Sequence, residues 1–383
     1  MLTPSFISMT KLLLSLYTLI WPLGSLLIAP KLFSLPIYYL DLLHLSFTLT
    51  LIKTRLYFIK DRSVIFLLLT LWLSLAFSTK LAQPRDYLIS VSYLLRLIAV
   101  IGFYFSLNSI SITLRRRLLF FMLTSFMFLG LAQYLFFPDI RLYQYLGFDD
   151  HYYRLVGSLL DPNYTGAVLT VAFFVFATLP LRLSWSLQLL SLLTLLLTFS
   201  RASFLSFFII LCLKLAKQHR LKYLLLFIPA VILGVYFLPK PFGEGVNLLR
   251  TYSVYSRLSA NLDALEIFKA HPLFGVGFNT LKLSFPGSHS TGIDNSYLYI
   301  LATSGLAGIS AFIYFLYTQL KPIRHHPYFL ALLSLLIHSL FNNTFFYIWI
   351  TSLFFLILSL AKADISPSTP SPPDSPPDHS PQP

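Results

Sequence analysis

The sequence predicts an all-α protein whose helices cross a membrane many times. Hydrophobic residues make up 56% of its 383 residues and charged residues only 11%, whereas about 25% of residues are charged in soluble domains. Leu and Phe recur in apolar blocks whose lengths approach the ~20 residues that a helix needs to cross a bilayer. Solidly apolar blocks exclude a β-barrel, whose strands would alternate apolar and polar residues.

Charge and cysteine content narrow the class further. The net charge of +14 fits an excess of Lys and Arg in cytoplasmic loops, so we expect no nucleic-acid partner. Cys212 is the one cysteine, which excludes an intramolecular disulfide and a cysteine cluster for a metal. The apolar stretch between Lys11 and Ala29 has no small-x-small cleavage site. We therefore predict an uncleaved first span rather than a signal peptide.

Twelve apolar blocks predict twelve spans in a single bundle, residues 1–362. The predicted spans are 12–29, 33–52, 63–79, 87–107, 117–137, 165–180, 183–200, 202–216, 223–238, 296–319, 327–341 and 344–361. Two of them, 202–216 and 327–341, are short for a spanning helix, and 183–216 could instead form one long span. The Pro/Ser-rich stretch 363–383 cannot bury apolar surface, and we predict a disordered cytoplasmic tail there.

The positions of basic residues predict which ends of the spans face the cytoplasm. Cytoplasmic loops attract Lys and Arg, and a cytoplasmic N-terminus places most of the basic residues in such loops. These are Lys53, Arg55, Lys60, Arg62, Arg115, Arg116, Arg117, Arg182, Lys214, Lys217, Arg220, Lys222, Lys321 and Arg324. The short outer loops carry only Lys31, Lys80 and Arg85. Both termini are then cytoplasmic, and 138–164 and 239–295 are outer loops, the second between spans nine and ten.

One arginine lies in the middle of a predicted span. Arg96 is the centre of span four, and an arginine at that depth normally faces the bundle interior or a wet cavity. A structural partner such as Asp41 in span two, or a functional role, would each explain it. Asp41 and His44 share a helical face, where a polar contact between helices is favoured over a proton relay.

Two short polar motifs mark the outer ends of spans. Asp161-Pro162-Asn163 predicts a turn, with Asn163 as the cap of the helix that follows. Ser200-Arg201-Ala202 joins spans seven and eight through a very short outer turn. Arg201 at this turn suits an anion contact, because its guanidinium matches the geometry of phosphate oxygens. A snorkelling interfacial arginine is the structural alternative.

The second outer loop contains a predicted amphipathic helix, residues 254–270. Its apolar residues recur at helical spacing, and Arg257 projects beside them, as in a helix lying on the outer face of the membrane. His271-Pro272 ends this helix, and Gly275-x-Gly277 permits a tight return towards the membrane. Asp294-Asn295 predicts a cap for span ten. Asp294 could also act as a general base if burial made its carboxylate more basic.

Taken in order, four motifs resemble those of the O-antigen ligase and O-antigen polymerase superfamily. They are Asp161-Pro162-Asn163 after an outer loop, Ser200-Arg201-Ala202, Arg257 followed by Phe268-x3-Pro272-x2-Gly275-x-Gly277, and Asn295-x-x-Leu298-x6-Gly305. They extend over roughly residues 60–360 of a twelve-span layout with a large outer loop between spans nine and ten.

The resemblance implies a glycosyltransferase of the bacterial inner membrane that acts on the periplasmic side. Such enzymes use no metal or other cofactor and transfer a glycan, with inversion, from an undecaprenyl-diphosphate carrier to a hydroxyl of a glycan or lipid acceptor. Arg201 and Arg257 match the positions thought to hold the diphosphate, where fixed positive charge stabilises the leaving group. We add Asn163, Asn295 and Arg96 as candidate substrate-binding residues.

In one position the sequence departs from the family pattern. The ligase motif has His immediately before the Asn, and this sequence has Asp294. Asp294 then becomes the candidate catalytic base, with His289 as an alternative. The difference favours a polymerase-type or divergent member over a ligase that attaches glycan to lipid A-core.

Two other classes of function compete with the enzyme. A twelve-span transporter or lipid-linked glycan flippase would place its polar residues at the bilayer midplane, often on broken helices. A non-catalytic scaffold of a polysaccharide export complex would leave Arg201, Arg257 and Asp294 without a shared purpose. Dispersal of these three by more than ~15 Å would contradict the enzyme, because catalysis needs them around one reacting centre.

Overall fold

The protein is helical wherever its structure is described. The computed structural model describes residues 4–27, 37–52, 60–78, 84–239, 244–281 and 292–365. Within these ranges the elements are helices, apart from one isolated bridge between Asp139 and Tyr152. The predicted all-α class is confirmed.

Thirteen α-helices are formed by the described residues. They are α1 (Pro4–Ile20), α2 (Tyr39–Ile52), α3 (Arg62–Ala76), α4 (Pro84–Ser106), α5 (Ile112–Phe136), α6 (Pro162–Phe176), α7 (Leu181–Leu197), α8 (Arg201–Lys217), α9 (Leu224–Phe237), α10 (Tyr252–Ala270), α11 (Ser296–Leu320), α12 (Phe329–His338) and α13 (Ile348–Ile365). A helix lies at each of the twelve predicted span positions, and α10 lies at the position of the predicted outer helix. The alternative single span over 183–216 is wrong, since α7 ends at Leu197 and α8 begins at Arg201.

Five stretches of the described chain are long and apolar enough to cross a membrane. They are Ser8–Leu26, Tyr87–Ser109, Ile112–Phe136, Ser296–Ile323 and Ile348–Ile365. Five further apolar helices are shorter, among them α3, α6, α7 and α12. The protein is thus a multi-helix membrane protein, and the count of twelve spans stays a prediction.

The last helix, α13, lies at the centre of the bundle. Its side chains are buried on every face from Ile348 to Ala361, as expected for a helix that is apolar all round. It packs against α4 and α5, and the indole Nε1 of Trp21 donates to the carbonyl of Trp349 at 3.1 Å. The helix extends to Ile365, three residues into the range predicted for the tail, and residues 366–383 lie outside the described ranges.

A break in α11 brings the chain after α10 into the bundle. Gly305 adopts φ 63° and ψ −161° inside α11, and N–H groups just after it donate to carbonyls at the start of segment 272–277 at 2.8 and 3.1 Å. A Cβ at Gly305 would lie 2.4 Å from the carbonyl carbon of Leu273, and a Cβ at Gly275 would lie 2.3 Å from the backbone of Thr303. Only glycines permit this crossing, in which non-helical backbone is satisfied by protein rather than by lipid.

Helix α10 turns the face that carries Arg257 towards the protein. Ala264 is buried and Arg257 is partly buried on this face, whereas Val254, Leu258 and Leu262 are about half exposed on the other. The apolar row predicted from the sequence therefore points away from the bundle. Such an orientation suits a helix at a membrane surface, with its leucines directed towards lipid.

Polar contacts at one end of the bundle link helices that the charge pattern assigns to the same side. Gln319, at the end of α11, donates to Asp61, the N-cap of α3, at 2.9 Å. Arg116 of α5 pairs with Asp364 of α13, which also contacts His326. Residues predicted to be cytoplasmic thus meet at one end, although the structure itself carries no membrane.

Candidate active site

A three-residue turn between α7 and α8 presents Arg201. Ser200 caps α8 by accepting a hydrogen bond from the Ser203 backbone N–H, so Arg201 becomes the first helical residue. Phe199 in the turn has φ 48°, a left-handed conformation that is uncommon for a bulky residue. The turn needs outside support to hold this conformation.

Arg154, which the sequence analysis did not single out, supplies that support. Its Nε donates to the carbonyl of Thr198 at 2.9 Å, and its Nη2 donates to that of Phe199 at 3.3 Å. The side chain is 5% exposed. Burial, followed by the nearby charge of Arg250, lowers the pKa of Arg154 well below its ordinary value, but a guanidinium stays protonated at neutral pH. A fixed positive charge therefore lies directly behind the turn.

Arg201 reaches from the turn to the start of α10. Its Nη1 donates to the carbonyl of Arg250 at 2.6 Å, and its Nη2 donates to Ser253 Oγ at 2.6 Å. Ser253 and Arg257 are four residues apart on α10, so their side chains lie about 5–6 Å from each other on one face. Helix α10 thus brings Arg201 and Arg257 into the same region.

Arg257 holds Asp294 at the N-terminal end of α11. Its Nε donates to Asp294 Oδ2 at 3.1 Å, and its Nη2 donates to Asn342 Oδ1 at 3.1 Å. The Asp294 side chain is 44% exposed, so it is a half-exposed ion-paired carboxylate rather than a buried one. The three residues predicted to act together are not dispersed.

Asn163 plays a different structural part from the one expected. The cap of α6 is Asp161, which accepts from the N–H groups of Asn163 and Tyr164 at 2.6 and 3.0 Å. The expectation that Asn163 is the cap is therefore wrong; Pro162, with no N–H to satisfy, starts the helix. Asn163 Oδ1 instead accepts from Ser200 Oγ at 2.8 Å, so Asn163 supports the turn that carries Arg201.

At the start of α11, Asn295 alone is the cap. Its Oδ1 accepts from the N–H groups of Tyr297 and Leu298 at 2.9 and 3.0 Å, and its Nδ2 donates to the carbonyl of Leu340. Asp294, expected to share this role, is free to pair with Arg257. The contacts of Asn163 and Asn295 are with the protein's own backbone and side chains.

Arg96 and Asp41 form the pair considered from the sequence. Arg96 Nε and Nη2 donate to the two carboxylate oxygens of Asp41 at 2.7 and 2.9 Å. His44 is fully buried, and within the described part of the chain neither of its ring nitrogens has a hydrogen-bond partner. The helical face shared by Asp41 and His44 therefore carries no hydrogen-bonded relay between them.

Two carboxylates of the loop between α5 and α6 lie within electrostatic reach of this region. Partial burial, followed by the charges of Asp150 and Asp294, raises the pKa of Asp149, and burial raises the pKa of Asp161. The Asp149 side chain still reaches solvent and is a second candidate proton acceptor. The alternative base His289 lies outside the described residues. Among the residues that are described, no group of three or more His, Cys, Asp or Glu could hold a metal ion.

Sequence reasoning missed three groups that complete the site. Arg154 and Arg250 were not singled out from the sequence, and their contacts with the α7–α8 turn and with Arg201 depend on chain segments distant in sequence. Asn342 is 4% exposed and holds Arg257, yet no described group accepts a hydrogen bond from its Nδ2. A polar Asn342-Asn343 pair in an apolar C-terminal stretch was the one available signal.

Comparison with known families agrees with the motifs. Residues 187–313, about a third of the chain, match the family model described as O-Antigen ligase. No curated protein matches the chain. Members of this family are membrane enzymes that join glycans. The matched segment runs from α7 to the middle of α11, contains Arg201, Arg257 and Asp294, and supports the resemblance to the O-antigen ligase and polymerase superfamily.

Proposed function

We propose that this protein is an inner-membrane glycosyltransferase that takes a glycan from undecaprenyl diphosphate and joins it to an acceptor hydroxyl in the periplasm. The proposal includes twelve spans with both termini cytoplasmic, the site at the outer end of the bundle, and a tail after α13. The match of residues 187–313 to the O-antigen ligase family model and the position of α10 beside the site support it.

The observation that carries the proposal is the convergence of four arginines. Arg201, Arg250 and Arg257 are close enough for their charges to act on the buried Arg154. Like charges gathered in this way repel each other, and an anion with several oxygens would relieve the repulsion. A diphosphate leaving group fits that requirement, since negative charge develops on it as the glycosidic bond breaks. In this proposal the arginines supply the positive charge, without a metal ion.

The transfer itself needs a proton acceptor beside the anion site. The acceptor hydroxyl oxygen attacks the anomeric carbon, the bond from that carbon to the diphosphate oxygen breaks, and the carrier diphosphate departs. The hydroxyl proton passes to the Asp294 carboxylate, which Arg257 orients at 3.1 Å. Attack from the side opposite the leaving group inverts the anomeric centre.

Asp294 in place of the family histidine favours a polymerase-type or divergent member in surface polysaccharide biosynthesis. The alternative is a ligase that attaches the glycan to lipid A-core. Deleting the gene distinguishes them: loss of chain length with one repeat still attached indicates a polymerase, whereas unattached carrier-linked glycan indicates a ligase.

A transporter is the competing function, and the break at Gly305 is the observation that favours it. Broken helices in transporters expose backbone groups to the substrate. Here the N–H groups after the break donate hydrogen bonds to the carbonyls of residues 272–273. The backbone groups at the break are therefore bonded to protein rather than exposed to a substrate. The charged pair at membrane depth, Arg96 and Asp41, likewise bonds within the protein rather than to a substrate.

Glycan transfer by single-arginine variants tests the proposal. We expect Arg201→Ala and Arg257→Ala each to abolish transfer in membrane preparations while the protein still inserts normally. Arg182→Ala, at the opposite end of α7, is the matched control and should keep wild-type transfer. Full activity in either site variant would contradict the diphosphate role.

A further inference from the structure

A cavity extends into the bundle, and its lining includes Asp294 but not Arg201. Its volume is about 530 Å³, and its walls include Asp294 at one end and Arg96 and Val100 of α4 deeper inside. Ile89, Tyr93, Arg96 and Val100 line it from one face of α4, a span of about 16 Å along the helix. This volume lies within the ~300–1,000 Å³ typical of small-molecule sites.

Aromatic rings and amides alternate on the cavity walls. Tyr164 and Tyr347 stack with their ring centroids 4.1 Å apart, and Tyr299 also lines the cavity. The Oδ1 of Asn279 accepts from the Tyr299 hydroxyl at 2.7 Å, and that of Asn343 accepts from Ser296 at 3.1 Å. With their oxygens engaged, these two amides have N–H groups to offer to a ligand.

The backbone of Asn279 positions its side chain at the cavity. Its φ of 60° is left-handed, a conformation that asparagine adopts more readily than most residues. This conformation lets one residue engage Tyr299 while it lines the cavity.

The chemistry of the walls selects among ligands. A hydrocarbon chain would leave Asn279, Asn343 and Asp294 facing an apolar group, at a cost in free energy. A phosphate finds no unbalanced positive charge, because Asp41 neutralises Arg96 with two hydrogen bonds. A sugar matches both the aromatic and the polar parts of the walls. Its C–H faces pack on aromatic rings, and its hydroxyls accept from amide N–H groups and donate to carboxylates.

We infer that this cavity is the subsite for the acceptor glycan, with the donor diphosphate held on the opposite side of Asp294. This inference rests on the proposed function. It places the attacking hydroxyl at the mouth of the cavity, where Asp294 can take its proton. Asp294 is the one carboxylate that both lines the cavity and pairs with Arg257.

The single native cysteine permits a direct test. In a Cys212→Ser background, Tyr93→Cys places a thiol on the cavity wall, and Leu95→Cys places one at the same depth on the exposed face of α4. The purified full-length proteins in lipid nanodiscs are treated with a charged methanethiosulfonate reagent. The probe ligand is the lipid-free glycan released from the carrier-linked donor by mild acid.

We expect the reagent to label Tyr93→Cys and not Leu95→Cys. Glycan at ten times its Kd should slow labelling of Tyr93→Cys about tenfold, since labelling then follows the unoccupied fraction. The labelled protein should lose transfer but still bind undecaprenyl diphosphate. An unreactive Tyr93→Cys, labelling unaffected by glycan, or undiminished transfer after labelling would each overturn the inference. If the unmodified protein showed no transfer at all, the proposed function would fail, whereas glycan protection would still report on the cavity.

Discussion

Replacing Asp294 by asparagine separates the chemical role of this residue from its structural one. Asparagine keeps an oxygen that can accept the hydrogen bond from Arg257, and Asn295 remains the cap of α11. The ion pair is partly exposed, and such pairs contribute about 0–1 kcal/mol to stability. The variant should therefore insert and unfold almost as the wild type does.

Transfer, in contrast, should fall steeply in Asp294→Asn. General-base catalysis by a positioned side chain contributes about 10²–10⁴-fold, which corresponds to roughly 3–5 kcal/mol of the activation barrier. The assay measures glycan transfer and thermal unfolding in the same nanodisc preparation. Asp263→Asn, an exposed acid on α10, serves as the control and should keep full activity.

Retention of wild-type turnover by Asp294→Asn would refute the reasoning. The same measurement on Asp149→Asn then becomes decisive, because Asp149 is a carboxylate near the site whose pKa is raised by partial burial and by the charges of Asp150 and Asp294. A large loss in Asp149→Asn with no loss in Asp294→Asn would move the proton acceptor to the loop between α5 and α6.

Three further predictions concern the elements that build the site. Gly305→Ala should destabilise the fold by about 3 kcal/mol or more, seen as a lowered Tm, because a positive φ and a Cβ 2.4 Å from backbone both penalise alanine; an unchanged Tm would contradict the crossing. Arg154→Met should reduce kcat/KM for the donor at least about tenfold, because it removes one of the four converging charges and the support of the turn that presents Arg201; an unchanged kcat/KM would contradict this role. Leu258→Trp should be quenched by lipids brominated near the headgroup, whereas Asp263→Trp should not; equal quenching would argue against an interfacial α10.

The sequence was most informative where a single local pattern decides the structure. Apolar blocks placed a helix at each predicted position, and the spacing of Leu258 and Leu262 predicted α10. That spacing does not say which face meets the protein, because in a membrane protein both lipid and bundle accept leucine. That Arg257 lies on the inward face could therefore be learned only from the structure.

Long-range contacts were less accessible to sequence reasoning. Arg154 donates a hydrogen bond to a turn 44 residues away, and no local sequence pattern predicts such a contact. The cap of α6 is a different case, since Pro162 at the first helical position already favours Asp161 as the cap. The role of Gly305 as a crossing point for residues 272–277 required the fold itself.

The most direct test of the account is turnover by the purified protein in nanodiscs supplied with radiolabelled carrier-linked glycan. The account predicts that labelled glycan is joined to an acceptor, that one undecaprenyl diphosphate is released for each bond formed, and that Arg201→Ala abolishes both. Movement of intact carrier-linked glycan across the bilayer with no new glycosidic bond would contradict it and indicate a transporter.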